Sequence, residues 1–336
     1  MVAESGSAAA APGASVHGKA AHRAAVLGKP IAHSLSPVIH NAGYAAAGLT
    51  GWSYTRIECA AAELPALVAG LGPEWAGLSV TMPGKEAALT VAAEVAPVAA
   101  AVGAANTLVR RPDGSWYADN TDVTGMVEVL TGAGVRPGAT ITVLGAGGTA
   151  RAALAAAARL HAAGVTVLAR RPAAVAELEP VAAALGVTMT AAPWPDLSRL
   201  DAPGVEPLRS PVPGGELSRP AVPEGPRGEP SRPAAAAWSE APALAGVDVL
   251  ISTVPKGAAD ELAARVRWRA GTVVFDAIYD PWPTPLAAAA EAAGCRIVSG
   301  LDLLLAQAIG QFEQFTGVPA PRSAMAAALT AARAGS

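Results

Sequence analysis

The run Thr140-Ile141-Thr142-Val143-Leu144 passes directly into Gly145-Ala146-Gly147-Gly148-Thr149-Ala150, and an alanine-rich stretch follows to about Ala163. A short apolar run closed by glycine reads as a buried strand, and the alanines read as a helix. A sharp strand-to-helix turn of this kind restricts the chain to an α/β arrangement. Gly145 permits the tight turn, Gly147 lets a ligand come close to the backbone, and Ala150 is small enough for helix and strand to pack closely. The helix N-terminus offers N–H groups and the positive end of the dipole, which suits the pyrophosphate of a dinucleotide. An ordinary βα turn is the plainer reading of the same residues.

The next strand, Val165 to Leu168, ends at Ala169-Arg170-Arg171. A site for NAD commonly has an acid there for the ribose hydroxyls. Two guanidinium groups instead suit a 2′-phosphate through charge-assisted, bidentate bonds, which favours NADP. Two solvated arginines at a strand end are the alternative.

Strand and helix patterns also alternate upstream. Val26-Leu27 precedes a helix from Pro37, Tyr54 to Ile57 precedes one from Glu63, and Gly77 to Val80 precedes one after Lys85. Pro112-Asp113-Gly114 between Thr107–Arg110 and Ser115–Tyr117 signals a hairpin. Downstream, Val247–Ser252, Thr272–Phe275 and Arg296–Val298 read as strands, and Leu301–Phe315 and Ala324–Ala332 as helices. The class is α/β with mostly parallel sheets. At 336 residues, 52% of them hydrophobic, the chain can fill two domains with cores rich in alanine.

Residues 1–22 are rich in Ala, Ser and Gly and read as a disordered extension without a secretory pattern. Residues from about 195 to 242 lose all periodicity to Pro, Gly, Arg, Glu and Ser, and read as a disordered insertion. A passive loop is the expectation there, and a polyproline II segment for a partner is the alternative. A net charge of -3 leaves no basic footprint for nucleic acid, and no run is long and apolar enough for a membrane span. Cys59 and Cys295 lack metal-ligand spacing, so no metal is expected, and the cytoplasm is the expected compartment.

Three further patches place polar groups where strands end. The first is Gly28-Lys29-Pro30-Ile31-Ala32-His33-Ser34-Leu35-Ser36-Pro37, a serine pair leading into a helix N-terminus. Hydroxyls and backbone N–H groups there suit a small carboxylate. The second is Ser79-Val80-Thr81-Met82-Pro83-Gly84-Lys85, and the third joins Ala105-Asn106-Thr107-Leu108 to Asp119-Asn120-Thr121-Asp122. Each has a plain reading. Ser36 caps a helix, Asp122 caps another, Lys85 is solvated, and Asn106 serves a turn.

Together these motifs resemble the shikimate dehydrogenase family from about Ala24 to Ala332, the insertion apart. Asp276-Ala277-Ile278-Tyr279, Thr284-Pro285-Leu286, Gly300-Leu301 and Ala306-Gln307-Ala308 extend the match in family order. The resemblance implies NADPH-dependent reduction of 3-dehydroshikimate to shikimate, in the pathway to chorismate and the aromatic amino acids. It assigns the carboxylate to Ser34 and Ser36 with Tyr279 nearby, and the ring hydroxyls to Thr81, Asn106 and Gln307. Lys85 and Asp122 become the catalytic pair. Gly145, Ala146, Gly147, Gly148, Thr149 and Ala150 hold NADP with Arg170 and Arg171, and Gly300 lies beside the nicotinamide.

The implied architecture is an N-terminal substrate-binding domain (23–121 and 301–336) and a Rossmann-like NADP domain (122–300) with a cleft between them. A monomer or homodimer is expected. The family usually has Asn at the position of Ser79, an aromatic at Gly84, Gly at Val123, Asn-Arg-Thr at Ala169-Arg170-Arg171, and an arginine at Ala174. Quinate/shikimate dehydrogenases using NAD are the nearest alternative. They often carry threonine in place of the second serine, here Ser36. A non-catalytic nucleotide-binding regulator on the same scaffold is the more distant one.

Overall fold

The computed structural model describes residues 22–195, 244 and 246–334. The expected N-terminal extension up to residue 21 and the expected insertion after residue 195 lie outside the described residues. In chain order the elements are β1 (His22–Gly28), α1 (Ser36–Ala46), β2 (Trp52–Glu58), α2 (Leu64–Ala69), β3 (Trp75–Val80), α3 (Ala88–Val91), β4 (Glu94–Val95), α4 (Pro97–Val102), β5 (Thr107–Arg110), β6 (Trp116–Asp119) and α5 (Thr121–Gly132). Then come β7 (Thr140–Leu144), α6 (Gly148–Arg159), β8 (Gly164–Ala169), α7 (Pro172–Ala176), α8 (Glu179–Leu185) and β9 (Met189–Pro193). The chain closes with β10 (Val249–Ser252), α9 (Asp260–Ala263), β11 (Val273–Asp276), α10 (Pro285–Ala292), β12 (Arg296–Ser299), α11 (Gly300–Thr316) and α12 (Arg322–Ala334).

Backbone proximity divides the chain into two units. One comprises the residues up to Thr121 and those from Gln307 onward, and the other runs from Asp122 to Ala306. The first unit holds a six-stranded sheet in the order β2-β1-β3-β5-β6-β4. β1 pairs in parallel with β2 and β3, while β5 runs antiparallel to both β3 and β6. The hairpin between β5 and β6 turns at Gly114 with φ +85°. Asp113 locks it by accepting from the Ser115 backbone N–H at 2.9 Å and from its hydroxyl at 2.7 Å.

The second unit holds six parallel strands in the order β12-β11-β10-β7-β8-β9. This is the doubly wound dinucleotide-binding order, with its crossover reversal between β7 and β10. Side chains alternate across the sheet, as the two-residue strand repeat requires. Ile141, Val143, Val165, Val167, Val249, Ile251 and Phe275 pack on one face, and Leu144, Leu168, Leu250 and Val274 on the other. Ala150, Ala153 and Ala157 of α6 are almost wholly buried, so small side chains let this helix lie close on the sheet.

α6 stops at Arg159, short of the expected Ala163. His161 takes φ +52° and turns the chain into β8, a break that the surrounding alanines do not announce. β4, α4, α7, α8, β9, α9 and α10 are likewise not announced by the sequence pattern.

Candidate active site

In the first unit β1 and β3 are parallel neighbours, so their following loops leave the sheet at the same end. Lys29 N donates to Met82 O at 3.1 Å and Thr81 N to Leu27 O at 2.8 Å, binding the serine loop to the segment that carries Thr81 and Lys85. Within the serine loop, Ser34 N donates to Ile31 O at 3.1 Å and Ser36 N to Ser34 Oγ at 3.3 Å. Arg56 on β2 clamps the loop from outside, its Nε and Nη2 donating to Ser34 O at 2.9 and 2.5 Å.

α1 begins at Ser36 with Leu35 as its N-cap, and no side chain bonds into the cap. Ser36 therefore does not cap the helix. Nor does the first turn supply the expected free N–H groups. Ser36 N is bound to Ser34, Pro37 has none, and Val38 N and Ile39 N both donate to Leu35 O. The hydroxyls of Ser34 and Ser36 are what this loop offers an anion.

Because β5 runs antiparallel to β3, it starts where β3 ends. Val80 N donates to Asn106 O at 2.7 Å and Ala105 N to Lys85 O at 2.8 Å. Asn106 is buried, and its Oδ1 accepts from Thr107 Oγ1 and Thr121 N, each at 2.8 Å, with Thr121 Oγ1 at 3.1 Å. Its Nδ2 points to Gln307 Oε1 at 3.4 Å. Ser34, Ser36, Thr81, Lys85, Asn106 and Gln307 thus share one unit and one end of its sheet.

Asp122 belongs to the second unit by its contacts. It is buried in the first turn of α5, one residue after the helix starts, where its charge favours the dipole. The glycine loop stands at the reversal of strand order. Gly145 has φ +104°, and a Cβ there would lie 2.5 Å from Thr253 Oγ1 on the loop after β10. Thr253 in turn donates through N and Oγ1 to Leu144 O at 2.9 and 2.8 Å.

Gly147 is the N-cap of α6 with no capping side chain, and a Cβ built on it meets nothing within 4 Å. Ala146, Gly148 and Thr149 flank it, half-buried, above the buried Ala150. Arg170 and Arg171 are exposed at the end of β8, and Arg171 is the N-cap of α7. An open glycine cradle on an uncapped helix, with two guanidinium groups after the next strand, fits a dinucleotide carrying a 2′-phosphate.

Tyr279 and Gly300 lie together in the second unit. A Cβ on Gly300 would overlap the Ala277 carbonyl and come within 3.1 Å of Tyr279 Cδ1. Burial and the neighbouring Asp280 push the Tyr279 phenol up. Buried Asp276 shapes this turn, accepting from Thr284 Oγ1 at 2.7 Å and from Ile278 N at 3.2 Å.

Arg56 and Thr253 lie outside the motifs legible in the sequence, whereas Asp276 opens one of them without any assigned role.

A profile of the shikimate dehydrogenase substrate binding domain matches residues 26–108, and one of the Shikimate 5'-dehydrogenase C-terminal domain matches residues 300–330. The NADP(+) shikimate dehydrogenase of Sphingopyxis alaskensis is 35% identical over 307 residues, covering 91% of this chain and 94% of that one. The crystal structure of Mycobacterium tuberculosis shikimate dehydrogenase is 44% identical with a TM-score of 0.72, over 92% of this chain and 99% of that one. The Thermus thermophilus shikimate 5-dehydrogenase, in complex with NADP(H) and shikimate, is 25% identical with a TM-score of 0.69, over 93% of this chain and 99% of that one. Among the described residues no helix is long and apolar enough to cross a membrane. Motifs, strand order and near full-length similarity converge, and the chain belongs to the shikimate dehydrogenase family.

Proposed function

We propose that this enzyme catalyses the reversible NADPH-dependent reduction of 3-dehydroshikimate to shikimate, on the way to chorismate. The gathering of Ser34, Ser36, Thr81, Lys85, Asn106 and Gln307 at one end of one sheet carries the reading. It is supported by a relative of the same fold that holds NADP(H) and shikimate together. Residues up to Thr121 and the C-terminal helices form the substrate domain, and residues from Asp122 form the NADP domain.

Ser34 and Ser36 donate to the substrate carboxylate, with Tyr279 at the same end. Thr81, Asn106 and Gln307 bond the ring hydroxyls. Gly145 to Ala150 receive the pyrophosphate, Arg170 and Arg171 the 2′-phosphate, and Gly300 lies against the nicotinamide. The chemistry that NADPH supplies when bound is a hydride for C3. The oxygen at C3 then needs a proton, which the Lys85 ammonium gives it while stabilising the charge that develops there. Asp122 steers the lysine toward that oxygen. In the oxidative direction Lys85 takes the hydroxyl proton instead. The enzyme works in the cytoplasm as a monomer or homodimer, without nucleic acid or membrane.

Steady-state assays of the purified protein with shikimate and quinate, each with NADP+ and NAD+, test the reading. The highest kcat/KM is expected for shikimate with NADP+. A higher kcat/KM for quinate with NAD+ overturns it.

A further inference from the structure

Tyr54 on β2, Ser79 on β3 and Gln311 on α11 are all buried, and they form one chain of hydrogen bonds. Tyr54 Oη donates to Ser79 Oγ at 2.5 Å, and Ser79 Oγ donates to Gln311 Oε1 at 2.6 Å. Gln311 Nε2 then donates to Asn106 O and to Thr107 Oγ1, each at 3.0 Å. Thr107 Oγ1 donates in turn to Asn106 Oδ1 at 2.8 Å.

The direction of this chain is fixed. A serine hydroxyl has one proton, and that of Ser79 goes to the amide oxygen of Gln311. Ser79 can therefore only accept from Tyr54, and the phenol proton is committed. Every link lies inside, where an unmade bond costs most, so the chain has little slack.

The near end of the chain is anchored to the serine loop. The Ser36 hydroxyl neighbours the Tyr54 phenol oxygen. Asn41 of α1 grips the Tyr54 backbone from both sides, with Oδ1 accepting from Tyr54 N and Nδ2 donating to Tyr54 O, each at 2.9 Å. The ring itself is stacked on His40 of α1, centroids 4.1 Å apart and planes inclined by 6°. The phenol can neither swing nor slide without moving the helix that Ser36 opens.

We infer that Tyr54 and Ser79 are positioning residues, which with Gln311 hold Ser36 and Asn106 at a fixed separation matched to one substrate. The inference rests on the reading that Ser36 meets the carboxylate and Asn106 a ring hydroxyl. Neither positioning residue takes part in proton or hydride transfer. Their effect is to present two binding groups, one at the start of α1 and one just before β5, in register.

Tyr54→Phe removes one oxygen and keeps the stacked ring, and Ser79→Ala interrupts the same chain from β3. Each is expected to raise the shikimate KM about tenfold, with kcat within a few-fold and the NADP+ KM unchanged. The double variant is expected to be no worse than the poorer single variant, because one chain can be broken only once. A merely structural role would lower the melting temperature and leave the KM of the folded enzyme unchanged. If one variant does not fold, the other carries the measurement. An unchanged shikimate KM, or effects that add in the double variant, overturns the inference. Failure of the unaltered protein to oxidise shikimate, seen before any variant is made, removes the functional reading and this inference with it.

Discussion

The side-chain oxygen of Asn106 accepts the backbone N–H of Thr121 at 2.8 Å, which fixes the orientation of the amide. The Thr107 hydroxyl donates to the same oxygen, so Nδ2 is what Asn106 can turn toward a ligand, as a donor. Asn106→Asp keeps the shape, but its second oxygen faces Gln307 Oε1 and cannot donate. We expect kcat/KM for shikimate to fall by roughly 10²-fold. Steady-state kinetics on the folded variant check this, and a loss under threefold would remove Asn106 from the substrate site.

Lys85 has its backbone carbonyl bound to Ala105 N at 2.8 Å, so its main chain is held independently of the ammonium. Lys85→Ala is therefore expected to keep shikimate binding within a few-fold while turnover drops by about 10² or more, as loss of a general acid requires. Calorimetric binding and single-turnover rates separate the two effects. Unchanged turnover would take the proton transfer away from Lys85.

What the sequence makes legible here is local. The run Thr140–Leu144 with its glycine loop, and the Pro112-Asp113-Gly114 turn, declare themselves because neighbouring residues settle their conformation. The short elements do not. β4 is two residues long and α9 four, too few for any period to show. The support of the site is hidden for a different reason. Tyr54 meets Ser79 across 25 positions and Ser79 meets Gln311 across 232, so no local pattern pairs them. Ser79 reads in sequence only as a departure from a family preference, yet in the fold it is the joint between β2 and α11.

His40 is fully buried against Tyr54, Tyr44 and Phe315, and neither ring nitrogen makes a hydrogen bond among the described residues. Burial holds it down to about 3 from an ordinary 6.5, with the Gln311 side chain beside it opposing. A histidine held neutral when folded lets the unfolded chain bind the extra proton first. Its contribution to stability is present above pH 6.5 and is lost as pH falls toward 3. The full loss is on the order of 5 kcal/mol. His40→Phe is expected to flatten the decline of melting temperature between pH 7 and pH 4 relative to the unaltered protein. Parallel declines in the two proteins would show that His40 is not the sensor.

The two glycines of the β7–α6 turn separate folding from nucleotide binding. Gly145 has φ +104°, and a Cβ would press on Thr253 Oγ1, so Gly145→Ala is strained twice over. It is expected to lower the melting temperature of the nucleotide-free protein by an amount matching about 1–3 kcal/mol. Gly147 sits at φ -89° and ψ -168°, extended backbone that alanine adopts freely, and its added methyl meets no atom within 4 Å. Gly147→Ala should leave the melting temperature of the nucleotide-free protein unchanged. The space the methyl enters is the space proposed for the pyrophosphate, so NADPH affinity should fall by about tenfold or more while the fold stays intact. Thermal melts with and without NADPH, alongside a fluorescence titration, read both quantities on the same samples. Full NADPH affinity in Gly147→Ala would place the pyrophosphate elsewhere and leave Gly145 as the turn's only constrained position.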